Sequence, residues 1–359
     1  MFGIDKILQL QPYSLNREDK AEVYSDALSF LTKKHYENCR LYKNFIDGLD
    51  FNIESIHTAE EIPFIPVRLF KDYDLYSVAK DQIIKTMTSS GTTGQRVSKI
   101  YLDRNTSTNQ TKVLAKISSD FLGNKRLPML IIDSKSVVKD RKLFTARGAG
   151  ILGFSMLGYD VTYALNEDME LDIQTVQAFL DKHKGETIFL FGFTYMIWEH
   201  FYQKLQKTMA KLDLSNGVLL HGGGFKKLIE QAVDNDTFKS RLKEVCNIQK
   251  VYNYYGMVEQ TGSVFMECEQ GRLHASIYSD IIIRNPYDFS ICSTGEQGLV
   301  QLVSVLPESY PGHSILTEDL GELIGEDDCP CGRLGKTFKL HGRIKQAEIR
   351  GCSDTYEKQ

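Results

Sequence analysis

Short runs of consecutive apolar residues alternate with stretches whose apolar positions recur every three or four residues. In the first such stretch, 19–47, Val23, Ala27, Leu28, Phe30 and Leu31 lie near helical spacing and predict an amphipathic helix. Pro63 and Pro66 then predict an extended segment over 61–67. From 83 onward strand and helix alternate. Strands are expected at 83–87, 128–133, 187–191, 217–220 and 250–254. Helices are expected at 105–121, 171–183, 194–211, 225–233 and 237–245. That order predicts an α/β fold with a ligand at the strand ends. Beyond 262 the texture changes to strands separated by turn signals, at 273–283, 298–306 and 336–340. The expected division is therefore 1–262 as an α/β part, 263–343 as a smaller β-rich subdomain and 344–359 as a hinge-like tail.

Composition narrows the classes. A chain of 359 residues makes roughly two units of about 150 residues each, large enough to need no disulfide staples. Its 43 Lys+Arg against 47 Asp+Glu lack the basic excess of a nucleic-acid binder, so no nucleic-acid partner is expected. No apolar run reaches ~18 residues, so no membrane span is expected. The N-terminus shows no basic stretch followed by a long apolar core, so a cytoplasmic location is expected. The seven cysteines fit free thiols, a metal site or a reactive cysteine better than a disulfide framework.

Three glycine-rich segments carry candidate chemistry. Thr88-Ser89-Ser90-Gly91-Thr92-Thr93-Gly94 follows a predicted strand. Its hydroxyls and backbone N–H groups suit a polyanion, though a solvated turn has the same composition. It is not a Walker A loop, because two residues separate its glycines and no Gly-Lys-Ser/Thr follows. Gly148-Ala149-Gly150-Ile151-Leu152-Gly153 matches G-x-G-x-x-G without following a buried strand, which favours close helix packing over dinucleotide binding. His221-Gly222-Gly223-Gly224 ends a strand, but no G-x-S-x-G elbow accompanies it, which argues against an esterase. What remains is a loop where a flat or anionic ligand approaches the backbone closely.

Taken in order, five segments resemble the acyl-adenylate-forming superfamily. They are 89–94, 221–224, Tyr254-Tyr255-Gly256-Met257-Val258-Glu259, Leu316-Thr317-Glu318-Asp319-Leu320-Gly321 and His341-Gly342-Arg343. Within it the chain resembles the LuxE-type acyl-protein synthetases, through the first two loops and the ending Ala347-Glu348-Ile349-Arg350-Gly351-Cys352. Cys329-Pro330-Cys331-Gly332-Arg333 is similar to phenylacetate-CoA ligases. The resemblance implies an α/β adenylate-forming N-terminal-type domain, with mixed sheets flanked by helices and a smaller β-rich subdomain. A C-terminal lid domain is expected to be absent or truncated. The implied activity is ATP-dependent conversion of a carboxylic, in this group fatty, acid to acyl-AMP. Transfer to a protein thiol follows, with a reductase or carrier as acyl-accepting partner.

The resemblance also implies roles. Ser90, Gly91, Thr92, Thr93 and Gly94 would hold phosphates, and Gly222, Gly223, Gly224, Tyr255 and Gly256 would border the adenine. Glu259 would hold Mg²⁺, a hard cation that prefers carboxylate oxygens. Asp319 would accept from the ribose hydroxyls, and Arg343 would contact ribose or phosphate. Apart from the resemblance, His221 is a candidate to touch the acyl carboxylate or the phosphate, a helix-capping or packing histidine being equally consistent. The chain departs from the pattern where Lys99 comes late after the loop, where Glu318 replaces a glycine, and where Ile344-Lys345 replaces a hinge acid.

In the resembling family a cysteine near the C-terminus takes the acyl group as a thioester, and Cys352 matches that place; an inert tail thiol is the plain alternative. Nearby Arg350 favours the thiolate. Cys268 and His274, with Cys329 and Cys331, form a candidate Cys₃His set for structural Zn²⁺, against the alternative of two turns with free thiols. Cys39, Cys246 and Cys292 read as packing cysteines. The aromatic run around Trp198 reads as core. Rival readings are a phenylacetate-type acyl-CoA ligase and a non-catalytic nucleotide- or acyl-binding subunit.

Overall fold

Asn16 caps the first long helix, α1 (Arg17–Asn38), its side chain accepting from the Asp19 amide at 2.9 Å. The single helix expected over 19–47 is two. Cys39 is extended, with φ −123° and ψ 101°, and α2 (Arg40–Gly48) starts afresh beyond it. The structure, a computed structural model, describes residues 3–55, 57–89, 96–138, 146–208 and 211–344. Three short strands follow: β1 (Ile65–Pro66), β2 (Lys85–Thr88) and β3 (Lys99–Leu102). Helix α3 (Arg104–Leu122) leads into β4 (Leu127–Ser134), α4 (Ala146–Ser155), β5 (Gly158–Leu165), α5 (Ile173–Lys182) and β6 (Ile188–Phe193). A helical run from Thr194 to Lys207, with a π turn at Ile197–Tyr202, precedes β7 (Gly217–Gly222). Then come α6 (Asn235–Cys246) and β8 (Lys250–Tyr255). The remaining strands are β9 (Phe265–Glu267), β10 (Leu273–His274), β11 (Ser279–Arg284), β12 (Gln297–Ser304), β13 (Ser314–Glu326) and β14 (Lys336–Arg343).

Packing groups these elements into two compact units. One gathers the described residues of Met1–Ile117 with those of Gly256–Gly351; the other is Ser118–Tyr255. This partition is not the linear one drawn from texture at 262/263. Texture reports the type of local structure, whereas packing reports which segments bury one another.

The Ser118–Tyr255 unit holds a parallel sheet in the order β8-β7-β6-β4-β5. Strands β6 and β7 are buried at every position, as expected for parallel strands covered on both faces. Ile188, Leu190 and Leu219 of these strands join Trp198, Phe201, Phe238 and Leu242 in one core. The G-x-G-x-x-G segment lies inside α4, and a carbon added at Gly150 would sit 3.0 Å from the Phe193 ring. At Gly150 the missing side chain serves close packing, as the sequence suggested.

The other unit holds an antiparallel sheet in the order β11-β12-β13-β14-β10-β9, with β1 paired parallel to β13, and the separate β2–β3 hairpin. The expected strand at 273–283 is split because the chain changes partners: β10 pairs with β9 and β14, β11 with β12. Helix α1 adds a buried ion cluster. Lys20 Nζ lies 3.2 Å from Asp280 Oδ1, and Lys336 Nζ lies 2.9 Å from Oδ2. Burial alone would raise the Asp280 carboxyl, but the two ammoniums hold it below its ordinary value. Replacing it with Asn leaves two buried cations facing a neutral amide. Asp280→Asn is expected to lower unfolding stability by about 3–5 kcal/mol, read by denaturant titration.

A second buried polar group sits under α1. His313 Nε2 contacts the Thr32 hydroxyl at 3.0 Å, and His35 bridges the Ser77 hydroxyl and the Pro307 carbonyl at 2.8 and 3.0 Å. Burial pulls His313 down to about 3 and His35 well below its ordinary value. Both stay neutral in the fold while the unfolded chain titrates near 6.5. Their stabilisation is therefore full above that pH and is lost below it, at about 1.4 kcal/mol per pH unit for each ring. The melting temperature is expected to fall from pH 6.5 to 5, less steeply in His313→Gln.

Candidate functional site

Strand β2 runs into the Ser/Thr/Gly-rich segment, and Ser89 and Ser98 pair across its base. The Ser89 amide donates to the Ser98 carbonyl at 3.1 Å, and the Ser98 amide donates to the Ser89 hydroxyl at 2.9 Å. Ser90, Gly91, Thr92, Thr93 and Gly94 lie outside the described residues, as does Cys352. The stem that carries the loop is thus in place while the loop itself is not described.

Glu259 belongs beside this stem. It sits in the short turn Val258–Gln260, which is tied down on both sides. The Tyr310 hydroxyl donates to the Glu259 carbonyl at 2.8 Å, and the Gln260 side chain donates to the Gly312 carbonyl at 2.8 Å. The Glu259 side chain is buried. That burial pushes its carboxyl above the ordinary value, against the opposing pull of Ser98, Lys71 and Arg343. A buried carboxyl that stays raised despite a hydroxyl, its own backbone N–H and two cations suits a positive ligand. In the same unit, Asp319 and Arg343 are register partners on β13 and β14, and Arg343 Nε donates to Asp319 Oδ1 at 2.8 Å.

The Ser118–Tyr255 unit supplies the glycine loop. Strand β7 ends in His221 and Gly222, both buried. A carbon added at Gly222 would lie 2.6 Å from the Tyr254 ring, and Gly223 has φ +72°, so neither position takes a side chain without strain. Nothing lies within 4 Å of a carbon added at Gly224. Tyr255 is half-buried at the end of β8, and Gly256, the first residue of the other unit's second segment, is exposed. Thr194, directly after β6, was not anticipated. Its hydroxyl oxygen lies 3.0 Å from His221 Nδ1, 3.1 Å from the Gly222 carbonyl and 2.7 Å from the Gly223 carbonyl. A lone threonine at a strand-to-helix junction gives no sequence signal beyond a helix start. Asp133, at the end of β4, was also missed as a paired group: it is buried against Arg147 Nε at 3.1 Å.

The four predicted metal ligands converge. The donor atoms of Cys268, His274, Cys329 and Cys331 all lie within 4.8 Å of one another. Cys268 Sγ and Cys329 Sγ are 3.8 Å apart, and Cys331 Sγ is 3.4 Å from His274 Nε2. The pairing of β9, β10 and β14 brings the two halves together, and Gly271 and Gly332, at φ +71° and +81°, close the tight turns beside the cysteines. Three sulfurs and one imidazole at these spacings suit a tetrahedral cation, for which ligand edges near 3.8 Å follow from metal–sulfur bonds of about 2.3 Å.

Comparison with known proteins fixes the class first. 2-Hydroxyisobutyryl-CoA ligase, solved in the postadenylation state in complex with R3-HIB-AMP, superposes with a TM-score of 0.69 at 14% identity, covering 92% of this chain and 69% of that one. The fold is that of an adenylate-forming ligase domain. The LuxE acyl-protein synthetase family matches residues 3–359, and the chain belongs to that family. Two relatives carry the name long-chain-fatty-acid–luciferin-component ligase. The one from Vibrio harveyi is 22% identical over 97% of this chain and 91% of its own length. The one from Aliivibrio fischeri is 21% identical over 97% and 92%. The protein is accordingly a ligase that activates a carboxylic acid with ATP and transfers the acyl group. No helix among the described residues is long and apolar enough to cross a membrane.

Proposed function

We propose that the acid is a long-chain fatty acid and that its acyl group passes through Cys352 to a partner protein. A carboxylate oxygen attacks the α-phosphorus of ATP, and the bond from that phosphorus to the pyrophosphate bridge breaks. The Cys352 thiolate then attacks the acyl carbon, a C–S bond forms, and AMP leaves with the C–O electron pair. The thiol proton passes to solvent. The partner's thiol takes the acyl group by exchange, regenerating Cys352. The name shared by the two relatives supports the fatty acid and the protein acceptor.

The observation that carries the reading is the buried Glu259 against the stem of the Ser90–Gly94 loop. In this reading the loop takes the β- and γ-phosphates. Gly222, Gly223, Gly224, Tyr255 and Gly256 border the adenine. Asp319 accepts from the ribose hydroxyls, and Arg343, held by Asp319, reaches ribose or phosphate. Mg²⁺ on Glu259 would neutralise phosphate charge during attack. Little covalent work falls to the protein, because positioning and charge compensation lower the barrier.

The test is acid-dependent exchange of labelled pyrophosphate into ATP across short, long and aromatic acids. Exchange with long-chain acids supports the reading, and exchange confined to aromatic acids points to a phenylacetate-type ligase. No exchange with any acid, with or without a fatty acid reductase partner, overturns it.

Cys268, His274, Cys329 and Cys331 would hold structural Zn²⁺, since four protein ligands leave no open position. Purified protein is expected to carry about one zinc per chain by metal analysis. Chelation or Cys329→Ser is expected to lower the melting temperature of the β-rich unit by several degrees. Full stability without metal would remove the proposal.

A further inference from the structure

The sequence leaves His221 equally open to touching the reacting acid or phosphate and to capping or packing, and its hydrogen bonds assign it a different part. The ring is buried, 2% exposed, and packs on Phe238 at 4.6 Å between centroids. Nδ1 lies 3.0 Å from the Thr194 hydroxyl oxygen, which also lies 2.7 Å from the Gly223 carbonyl and 3.1 Å from the Gly222 carbonyl. A threonine hydroxyl has a single proton to give.

Two arrangements are available. If Thr194 donates to Nδ1, its oxygen faces two carbonyl oxygens at hydrogen-bond distance with no proton between them. The ring proton then sits on Nε2, a buried atom with no partner among the described residues. That arrangement combines oxygen–oxygen repulsion with an orphaned buried donor. If Thr194 donates to the closer Gly223 carbonyl, Nδ1 carries the ring proton and donates to the threonine oxygen. Both short contacts become hydrogen bonds, and Nε2 keeps only a lone pair. The second arrangement is the stable one. It leaves the ring with no N–H to offer a carboxylate or phosphate, and a bare lone pair repels an anionic oxygen. Burial also keeps the ring neutral, with a pKa of about 3.

The proton order matters because of what it grips. The Thr194 hydroxyl is the hinge between the His221 ring and the carbonyls of Gly222 and Gly223. Gly222 is held under the Tyr254 ring, and Gly223 has a left-handed backbone. Gly222 is also held by its pairing with β6 and β8, so the hydroxyl acts chiefly on Gly223, the first loop residue beyond the ladder. We propose that His221 and Thr194 form a buried clamp, with Nδ1–H donating to the hydroxyl and the hydroxyl to the Gly223 carbonyl, that sets the glycine loop. His221 is then a positioning residue for nucleotide binding. The proposal rests on the reading that this loop borders the adenine.

The two roles predict opposite outcomes for two amides. The amide of Asn reproduces a donor at Nδ1, and that of Gln reproduces one at Nε2. His221→Asn is expected to keep the KM for ATP within about twofold, while His221→Gln and His221→Leu raise it about tenfold, with a smaller change in kcat for pyrophosphate exchange. Thr194→Ser should behave as the parent and Thr194→Val as His221→Leu. If Gln rescues and Asn does not, or if the variants lower kcat at unchanged KM, His221 meets the reacting groups and the clamp is wrong. A ¹⁵N spectrum of the unaltered protein tests the geometry without any variant. The His221 signals should be those of a neutral Nδ1–H ring, unchanged from pH 8 to pH 5, and an Nε2–H ring overturns the proposal. That spectrum stands even if no acid supports exchange, so failure of the clamp and failure of the adenylation reading are distinguishable.

Discussion

Cys352→Ser is expected to abolish the acyl-protein intermediate while leaving pyrophosphate exchange at the parent rate. The two half-reactions use different chemistry. Adenylate formation needs the carboxylate, ATP and compensating charge, none of which a C-terminal thiol supplies. Acyl transfer from the mixed anhydride needs a nucleophile with an appreciable ionised fraction near neutral pH. A thiol with an ordinary pKa of about 8.5 is a few per cent thiolate at pH 7; a serine hydroxyl has essentially none. With labelled fatty acid and ATP, the parent should retain label on the chain after denaturation, and hydroxylamine should release it as expected for a thioester. The serine variant should retain less than about 1% of it, with its acyl-AMP released slowly into solution. Label retained at the parent level would move the acceptor to another residue. Among the described cysteines, Cys39 and Cys246 are poor substitutes, since both are buried and burial raises both thiols, Cys246 to about 12.

Much of this architecture can be read along the chain, for a physical reason. Strands β4, β6 and β7 are buried on both faces and therefore appear as unbroken apolar runs bounded by turns. Strand β5 was not anticipated. It lies at the sheet edge, leaves Tyr159 and Val161 exposed, and so carries no apolar pattern of its own. Strand β13 escaped for a related reason: Glu318, Asp319 and Glu322 interrupt it, and two glycines suggest turns where the sheet has irregular register. The division into α1 and α2 depends on one extended residue, Cys39, in a stretch whose spacing never breaks.

The site divides the same way. Cys268, His274, Cys329 and Cys331 were legible because metal-ligand chemistry restricts residue type, and the sheet then brings the two pairs together. Glu259 stood out in an ordered set of motifs, and the fold buries it beside Ser98. Thr194 and Asp133 were not, because a single hydroxyl or carboxylate acquires its role only when a distant segment is folded against it.

Glu259→Gln is expected to lower the rate of pyrophosphate exchange by about 10²–10³-fold while leaving the fold as stable as before, or slightly more so. The side chain is 5% exposed, and burial is the largest influence on its carboxyl, which is raised despite Ser98, Lys71 and Arg343. Keeping that carboxylate ionised without a cation therefore costs the folded state energy. A glutamine of the same shape carries no charge to desolvate, so the variant should unfold at an equal or higher denaturant midpoint. Catalysis runs the other way. Negative charge accumulates where pyrophosphate leaves, and a neutral amide holds Mg²⁺ far more weakly than a carboxylate does. Raising Mg²⁺ should recover part of the lost rate in Glu259→Gln and none in a variant damaged elsewhere. Loss of stability and activity together, with no response to Mg²⁺, would instead make Glu259 a structural group of the Val258–Gln260 turn. Gain of stability with loss of rate is the signature of a charge retained for function at the expense of the fold.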